Sequence, residues 1–421
     1  MQARSYTVGR RFRLSSENTV VGLDIGTSKV TAAIGDYNAD GTLEIVGIGT
    51  SVSSGMRRGV VINIEATLNS VVEAIEAAEQ MAGREMKHVV SGIAGSHIEG
   101  LNSRGVVAVT GKGREITSVD VERVIGAARA VSIPMDREIL HVIPRDFIVD
   151  DQSGIRNPLD MIGVRLEVEV HMITGSVTAG QNLVKCVNRA GFEIRRMVYN
   201  ALASSEAVLS QDEKDLGVIV LDIGGGTTNV MVYLDGAPYY TTVLPVGGSQ
   251  VTGDLSIMLK TSADSAEQIK KQEGFAYMPL VEEGESVIVP GVGGRPPIQR
   301  TRQQICEIIQ PRMAEIFTMV RDRLVKQQVF DRIAGGIVLT GGGSLIPGAV
   351  ELAQDVFNLG GRIGQPGKYG DVIDVYQSPD YSTAIGLVLF GRGEQETGAA
   401  GSRETRGRRS GRFAKWVKNF F

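Results

Sequence analysis

At 421 residues, 42% of them hydrophobic, the chain has enough apolar content for two to four subdomains, each with its own core. A net charge of −4 gives no nucleic-acid signature, two distant cysteines rule out a disulfide framework, and four histidines with two cysteines show no metal-ligand spacing. No run of 18 apolar residues occurs, so no transmembrane helix is expected.

Residues 1–16 are basic but lack the apolar stretch of a signal peptide, and a short flexible arm on a cytoplasmic protein is expected. Residues 20–35, VVGLDIGTSKVTAAIG, read as strand, turn, strand. Asp24 ends the first strand, and Gly and hydroxyl residues form the turn. A strand, LEIVGIGTS, and a helix over IEATLNSVVEAIEAAEQMAG come next. Ala66, Leu68, Val71, Val72, Ile75 and Ala78 sit near a 3.6-residue period, and the acidic face of Glu73, Glu76 and Glu79 is expected to be solvated. Residues 91–172 change character, with short strands (GVVAVTG, EILHVIPRDFIVD, RLEVEVHMITG) around one helix, SVDVERVIGAARAV. This predicts an inserted α+β subdomain. Its Gly111-Lys112-Gly113-Arg114 lacks the spacing of a phosphate-binding loop and reads as a turn.

Residues 173–213 return to helix, strand and helix. The run GVIVLDIGGGTTNVMVYL, residues 217–234, then repeats the first hairpin, with Asp222 standing 198 residues after Asp24. Turns of this composition let backbone N–H groups approach phosphate oxygens, and the carboxylates suit the waters of a phosphate-bound Mg²⁺. The glycines lead into a strand, VMVYL, then Asp235-Gly236 and another strand. They therefore do not open a helix, and a dinucleotide-binding fold is disfavoured. Two such hairpins suggest two similar half-domains closing on one nucleotide. Residues 251–330 read as mostly helical, broken by a polar Gly/Pro segment at 282–299. A third glycine turn, GGIVLTGGGSLIPG, spans 335–348, and Gly341, Gly342, Gly343 and Ser344 suit a flat floor under a nucleoside. Cys186 and Cys306 read as buried reduced thiols on amphipathic helices.

Residues 392–410 lack apolar content and read as a linker. In the final eleven residues, Phe413, Trp416, Val417, Phe420 and Phe421 fall on one helical stripe, with Lys415, Lys418 and Asn419 opposite and Arg412 near the edge. The chain's only Trp lies here. Such a helix is expected to lie in a membrane interface, its cations on anionic headgroups, with avidity from oligomerisation adding to a weak single contact.

DIGTSKV, DIGGGTTNV and LTGGGSLIPG, in this order and at these separations, resemble the superfamily of actin, sugar kinases and heat-shock-chaperone ATPases. Within it, NALASSEAVL (200–209), SAEQIKKQEG (265–274), VPGVGGRPPIQRTRQQICEIIQPR (289–312), YSTAIGLVLFG (381–391) and the tail resemble the FtsA family, the bacterial actin homologues of cell division. The resemblance implies an α/β actin-like ATPase fold. Residues 17–90 and 173–213 with a closing helix at 374–391 form the first half, and 214–250 with 331–373 the second. The inserted subdomain spans 91–172, the helical subdomain 251–330, and the membrane helix 411–421.

It also implies ATP and Mg as cofactors. Gly26, Thr27, Ser28 and Lys29 form one phosphate loop, and Gly224, Gly225, Gly226, Thr227 and Thr228 the other, with Asp24 and Asp222 holding Mg²⁺ through water. Glu267 and Lys270 reach the ribose and adenine. Asn200 stands where cell-shape actins place a water-positioning Glu. Asn is a poor base at neutral pH, so slow or negligible ATPase activity is expected. Glu206, two turns along, is not favoured for that role.

The implied partners are the C-terminal tail of FtsZ, met by Arg300, Arg302 and Arg312, and further copies of the chain in a filament. Anionic lipids of the inner membrane at the septum, and later division proteins through residues 91–172, complete the set. A soluble small-molecule kinase, a pilus-assembly adaptor and a chaperone ATPase are the alternatives on the same fold. The kinase would gain nothing from the terminal helix. The tail and the GGRPP segment argue against the adaptor. The chaperone would need a peptide-binding domain that the remaining residues cannot supply.

Overall fold

The structure, a computed structural model, describes residues 13–14, 18–110, 112–370 and 374–398. The expected N-terminal arm falls almost wholly outside these residues, and the membrane helix at 411–421 lies wholly outside them.

The first half begins with a meander of β1 (Thr19–Ile25), β2 (Lys29–Tyr37) and β3 (Leu43–Val52). Helix α1 (Ile64–Ala82) comes next, started by the Asn63 side chain accepting from the Ala66 N–H and stopped by Gly83 in the left-handed region. Strand β4 (His88–Ile93) then pairs parallel to β1. Glu79 departs from the expected solvated face of α1. It accepts the Met86 N–H at 2.6 Å, closing the turn into β4, and burial raises its pKa.

The inserted subdomain is β5 (Glu99–Ala108), α2 (Ser118–Arg129), β6 (Arg137–Val149), β7 (Gln152–Ile155) and β8 (Arg165–Ser176), in an antiparallel sheet ordered β7-β6-β8-β5 under one helix. Its start differs from the expected 91, because His88–Ile93 belongs to the first sheet, and its last strand runs to Ser176. Strand β5 also starts at Glu99, ahead of the expected GVVAVTG. The expected strand EILHVIPRDFIVD is present as β6, one residue earlier, with register shifts at Ile139/His141 and Pro144/Asp146. The subdomain leans on the second half. Tyr239 lies between Arg145, 4.2 Å from its ring centroid, and Arg332, at 4.8 Å, while His171 shares hydrogen bonds with Asn102 and Thr241.

Helix α3 (Val177–Arg189), carrying buried Cys186, strand β9 (Glu193–Tyr199) and helix α4 (Asn200–Val208) complete the first half's own chain. The second half repeats the plan. After α5 (Gln211–Leu216) come β10 (Val218–Ile223), β11 (Thr228–Leu234) and β12 (Ala237–Leu244). Helices α6 (Gly248–Leu259) and α7 (Ala263–Glu273), a hairpin of β13 (Ser286–Val289) and β14 (Ile298–Thr301), and α8 (Arg302–Lys326) form the helical subdomain. The hairpin replaces part of the irregular segment expected at 282–299. Strand β15 (Ile337–Thr340), helix α9 (Ala349–Phe357), strand β16 (Gly361–Ile363) and helix α10 (Ser382–Gly398) end the described chain.

The two five-stranded sheets have one topology, β9-β4-β1-β2-β3 and β16-β15-β10-β11-β12. Each is a three-stranded antiparallel meander joined to two parallel strands. The expected pair of half-domains is therefore present. Their last helices are exchanged: α10, which comes after the second sheet, packs on β1, β2 and β4 of the first, while α4 touches β10 and β11 of the second. The two helices cross where Gly386 meets the Ala203 carbonyl, and a Cβ there would overlap that oxygen. Helix α10 continues through Gly398, into the stretch expected to be linker. Arg, Glu and Gln are good helix formers, so a helix nucleated by the apolar run before them propagates.

Candidate nucleotide site

The two hairpin turns share one hydrogen bond. The Gly26 N–H donates to the Lys29 carbonyl at 3.0 Å, and the Gly224 N–H to the Thr227 carbonyl at 2.8 Å. Asp24 faces Thr31 across its hairpin, and Asp222 faces Asn229 at the same register. The turns meet across the cleft between the halves. A Cβ on Gly226 would lie 2.7 Å from Thr27 Oγ1, and one on Gly225 would overlap Ser28 Oγ, so only glycine permits this approach. Thr27 Oγ1 also accepts from the Gly59 N–H at 3.2 Å. Thr228 begins β11, and its buried hydroxyl donates to the Val246 carbonyl.

Asp24 and Asp222 are close enough to act on each other. Burial, then the Asp222 carboxylate, push Asp24 up to about 7, against the opposing pull of Lys29 and a hydrogen bond from Asn200. Burial pushes Asp222 up to about 6, against hydrogen bonds from Asn229 and Thr383. Asn200 Nδ2 donates to Asp24 Oδ1 at 3.0 Å, so this side chain orients Asp24, while its buried Oδ1 has no partner among the described residues; Asn229 Oδ1 is in the same position. Two crowded carboxylates with two unpartnered amide oxygens suit a hydrated divalent cation. Mg²⁺ is commonly held by one or two carboxylates plus substrate phosphates rather than by a full protein cage. Among the described residues no group of three or more His, Cys, Asp or Glu gathers as a metal site, here or elsewhere.

The carbonyls of Gly224 and Gly225 accept the Gly248 and Ser249 N–H groups, which sets the second turn on the first turn of α6. Glu267 and Lys270 lie one layer behind. Lys270 Nζ bonds Glu267 Oε2 at 2.6 Å, Thr252 Oγ1 at 2.9 Å and the Gly248 carbonyl at 3.2 Å. They are not the exposed pair that a three-residue spacing allows. Burial acts to raise Glu267, but hydrogen bonds from Lys270 and Thr252 outweigh it and hold the carboxyl low. Burial pulls Lys270 below the usual ammonium range.

In the third turn Gly341 has φ 77°, its N–H donates to the Pro379 carbonyl, and the hydroxyl of buried Ser344 closes back on its carbonyl at 2.7 Å. Gly342 and Gly343 open a short 3₁₀ turn there. A Cβ on Gly341 would collide with Asp222 Oδ1, so this turn reaches the same site. All three glycine turns thus converge. Sequence reasoning missed Asn229, which the hairpin register could have supplied. It also missed Thr383 and Asp380, far along the chain, for which no local signal exists.

A family model described as "Cell division protein FtsA" matches residues 219–386, and one described as "SHS2 domain inserted in FTSA" matches 95–174. The chain is 47% identical to the cell division protein FtsA of Borreliella burgdorferi, across 96% of this chain and 98% of that protein. It is 46% identical to that of Pseudomonas aeruginosa (91% and 92%) and 39% to that of Escherichia coli K12 (96% and 97%). The chain belongs to the FtsA family. Solved structures agree on the fold. A chain of the PilM–PilN type IV pilus biogenesis complex aligns with a TM-score of 0.65 at 17% identity, covering 89% of this chain and 98% of that one. MreB5 of Spiroplasma citri bound to ADP aligns at 0.56 and 15%, covering 92% and 100%. This FtsA-family chain therefore has an actin-like fold with an SHS2 insertion.

On the helical subdomain of this FtsA-family protein the three expected arginines differ. Arg302 pairs with Glu273 at 2.7 Å and with Glu285, and Arg312 with Asp254 at 2.6 Å and with Glu315. Arg300, on β14, donates to the Gln299 carbonyl, and among the described residues it has no ion pair. No helix of the described residues is long and apolar enough to cross a membrane.

Proposed function

We propose that this FtsA-family protein binds Mg²⁺–ATP between its two halves, assembles into filaments on the inner face of the cytoplasmic membrane, and tethers FtsZ there at the division septum. The observation that carries the nucleotide reading is the Asp24–Asp222 pair, half-buried and buried, between facing glycine turns of one design. The turns offer N–H groups to phosphates, Glu267 and Lys270 back the second turn on the nucleoside side, and Gly341–Ser344 form its floor. Bound Mg²⁺ would supply charge neutralisation for the phosphates, with Asp24 and Asp222 holding its waters. Asn200 is engaged with Asp24 and is no general base, which favours slow or negligible hydrolysis and a gating role for the nucleotide.

The aromatic stripe at 413–421 supports membrane attachment. An acidic FtsZ tail would reach Arg300 directly, but at Arg302 and Arg312 it competes with carboxylates already in place. The inserted subdomain, 91–172 as read from the sequence, is the face proposed for later division proteins. The deciding experiment is co-sedimentation with anionic phospholipid vesicles and Mg²⁺–ATP, comparing the full chain with one ending at Ser410. Pelleting of the full chain alone is expected. Equal behaviour of the two chains would remove the tether from the proposal.

A further inference from the structure

Lys29 was expected to serve the phosphates, yet its ammonium is engaged elsewhere. It opens β2 directly after the first glycine turn, and its Nζ lies 2.6 Å from Asp380 Oδ2 and 3.9 Å above the Tyr381 ring. Asp380 sits in the turn Pro379–Tyr381, which is fastened to the second half's glycine floor. The Gly341 N–H donates to the Pro379 carbonyl at 3.2 Å, and the Thr340 hydroxyl lies 3.3 Å from that carbonyl and 2.8 Å from Ser382 Oγ. A Cβ on Gly342 would lie 3.8 Å from that of Asp380. The ion pair therefore joins the phosphate turn of one half to the nucleoside floor of the other. Among the described residues Lys29 is the only ionic partner of Asp380.

We propose that Asp380 is a positioning residue, holding Lys29 across the cleft until nucleotide phosphates displace it. The inference rests on the nucleotide reading of the site. Side chains 31% and 25% exposed leave water enough for exchange, and an ammonium is a point charge with three donors that moves readily between a carboxylate and a phosphate. Removing the carboxylate frees Lys29 for the phosphates, and the gain falls only on ligands that carry them.

The test is a titration of the full chain with Mg²⁺–ATP and with adenosine, for the wild type, Asp380→Asn, Asp380→Glu, Lys29→Ala and the double variant Lys29→Ala/Asp380→Asn. Asp380→Asn is expected to tighten ATP about two- to fivefold, the range of a partly exposed ion pair, and to leave adenosine unchanged. Asp380→Glu should restore wild-type affinity. Lys29→Ala should weaken ATP and erase the effect of Asp380→Asn, as coupled residues do. A merely structural role for Asp380 would move ATP and adenosine together, and that result would overturn the proposal. Persistence of the Asp380→Asn effect without Lys29, or equal ATP affinity in all variants that bind it, would overturn it too. A wild type that binds no ATP would overturn the nucleotide reading first, and the latch with it.

Discussion

Two carboxylic acids raised toward neutrality give the nucleotide-free site its own pH dependence. Asp24 and Asp222 have folded-state pKa values raised from 3.8 to about 7 and about 6. Between those limits the pair holds more protons folded than unfolded, so its own contribution to stability falls as pH rises from about 4 to about 7. Burial lowers His141 and His171 to about 3, and their contribution runs the opposite way below about pH 6.5, so the check is a difference: without nucleotide or Mg²⁺, Asp222→Asn should gain melting temperature relative to the wild type between pH 5 and pH 8. A difference between the two proteins that is the same at pH 5 and pH 8 would contradict the crowded pair. Asp222→Ala should weaken Mg²⁺–ATP by about 10- to 100-fold, the range for losing a group that orients a metal's ligands, as read by calorimetry. Unchanged affinity would sink this site assignment. Both aspartates were legible because each repeats at the end of an apolar strand before a glycine turn. Lys29 was legible as a residue but not in its partner, because Asp380 lies 351 positions away.

The crossing of α4 and α10 is where single-element reasoning gives the wrong sign. On an exposed helix, Gly386→Ala should stabilise by about 1 kcal/mol through propensity. Here the new Cβ would overlap the Ala203 carbonyl, and overpacking of this kind costs about 1–3 kcal/mol. A net loss in urea unfolding is expected, and a gain would mean that the helices slide apart freely. Element boundaries were read less well than element types. The first hairpin, α1, the long β6 and the glycine turns are set by local pattern, whereas the β13–β14 hairpin hides behind glycine and proline. The interior position of Glu267 and Lys270 depends on Thr252 and Gly248, which come from another helix.

At the scale of the molecule, the repeat of one sheet topology was foreseen from two matching hairpins, while the helix exchange between the halves was not. Local sequence carries the period of α10 but not the sheet it covers. That exchange governs the order of assembly. Tyr37, in the second strand of the chain's first sheet, donates its hydroxyl to the Val388 carbonyl 351 residues later, and β1 is covered by the same helix. Domains usually fold as they leave the ribosome, N-terminal first. Here the N-terminal half stays with one face of its sheet bare until the second half and α10 have been made. A nascent chain stalled before Ser382 should therefore remain sensitive to protease in its first half as well as its second, and one stalled well beyond Gly398 should protect both together. Synthesis of this protein ends in a single late closure, with the earliest strands waiting for the last helix.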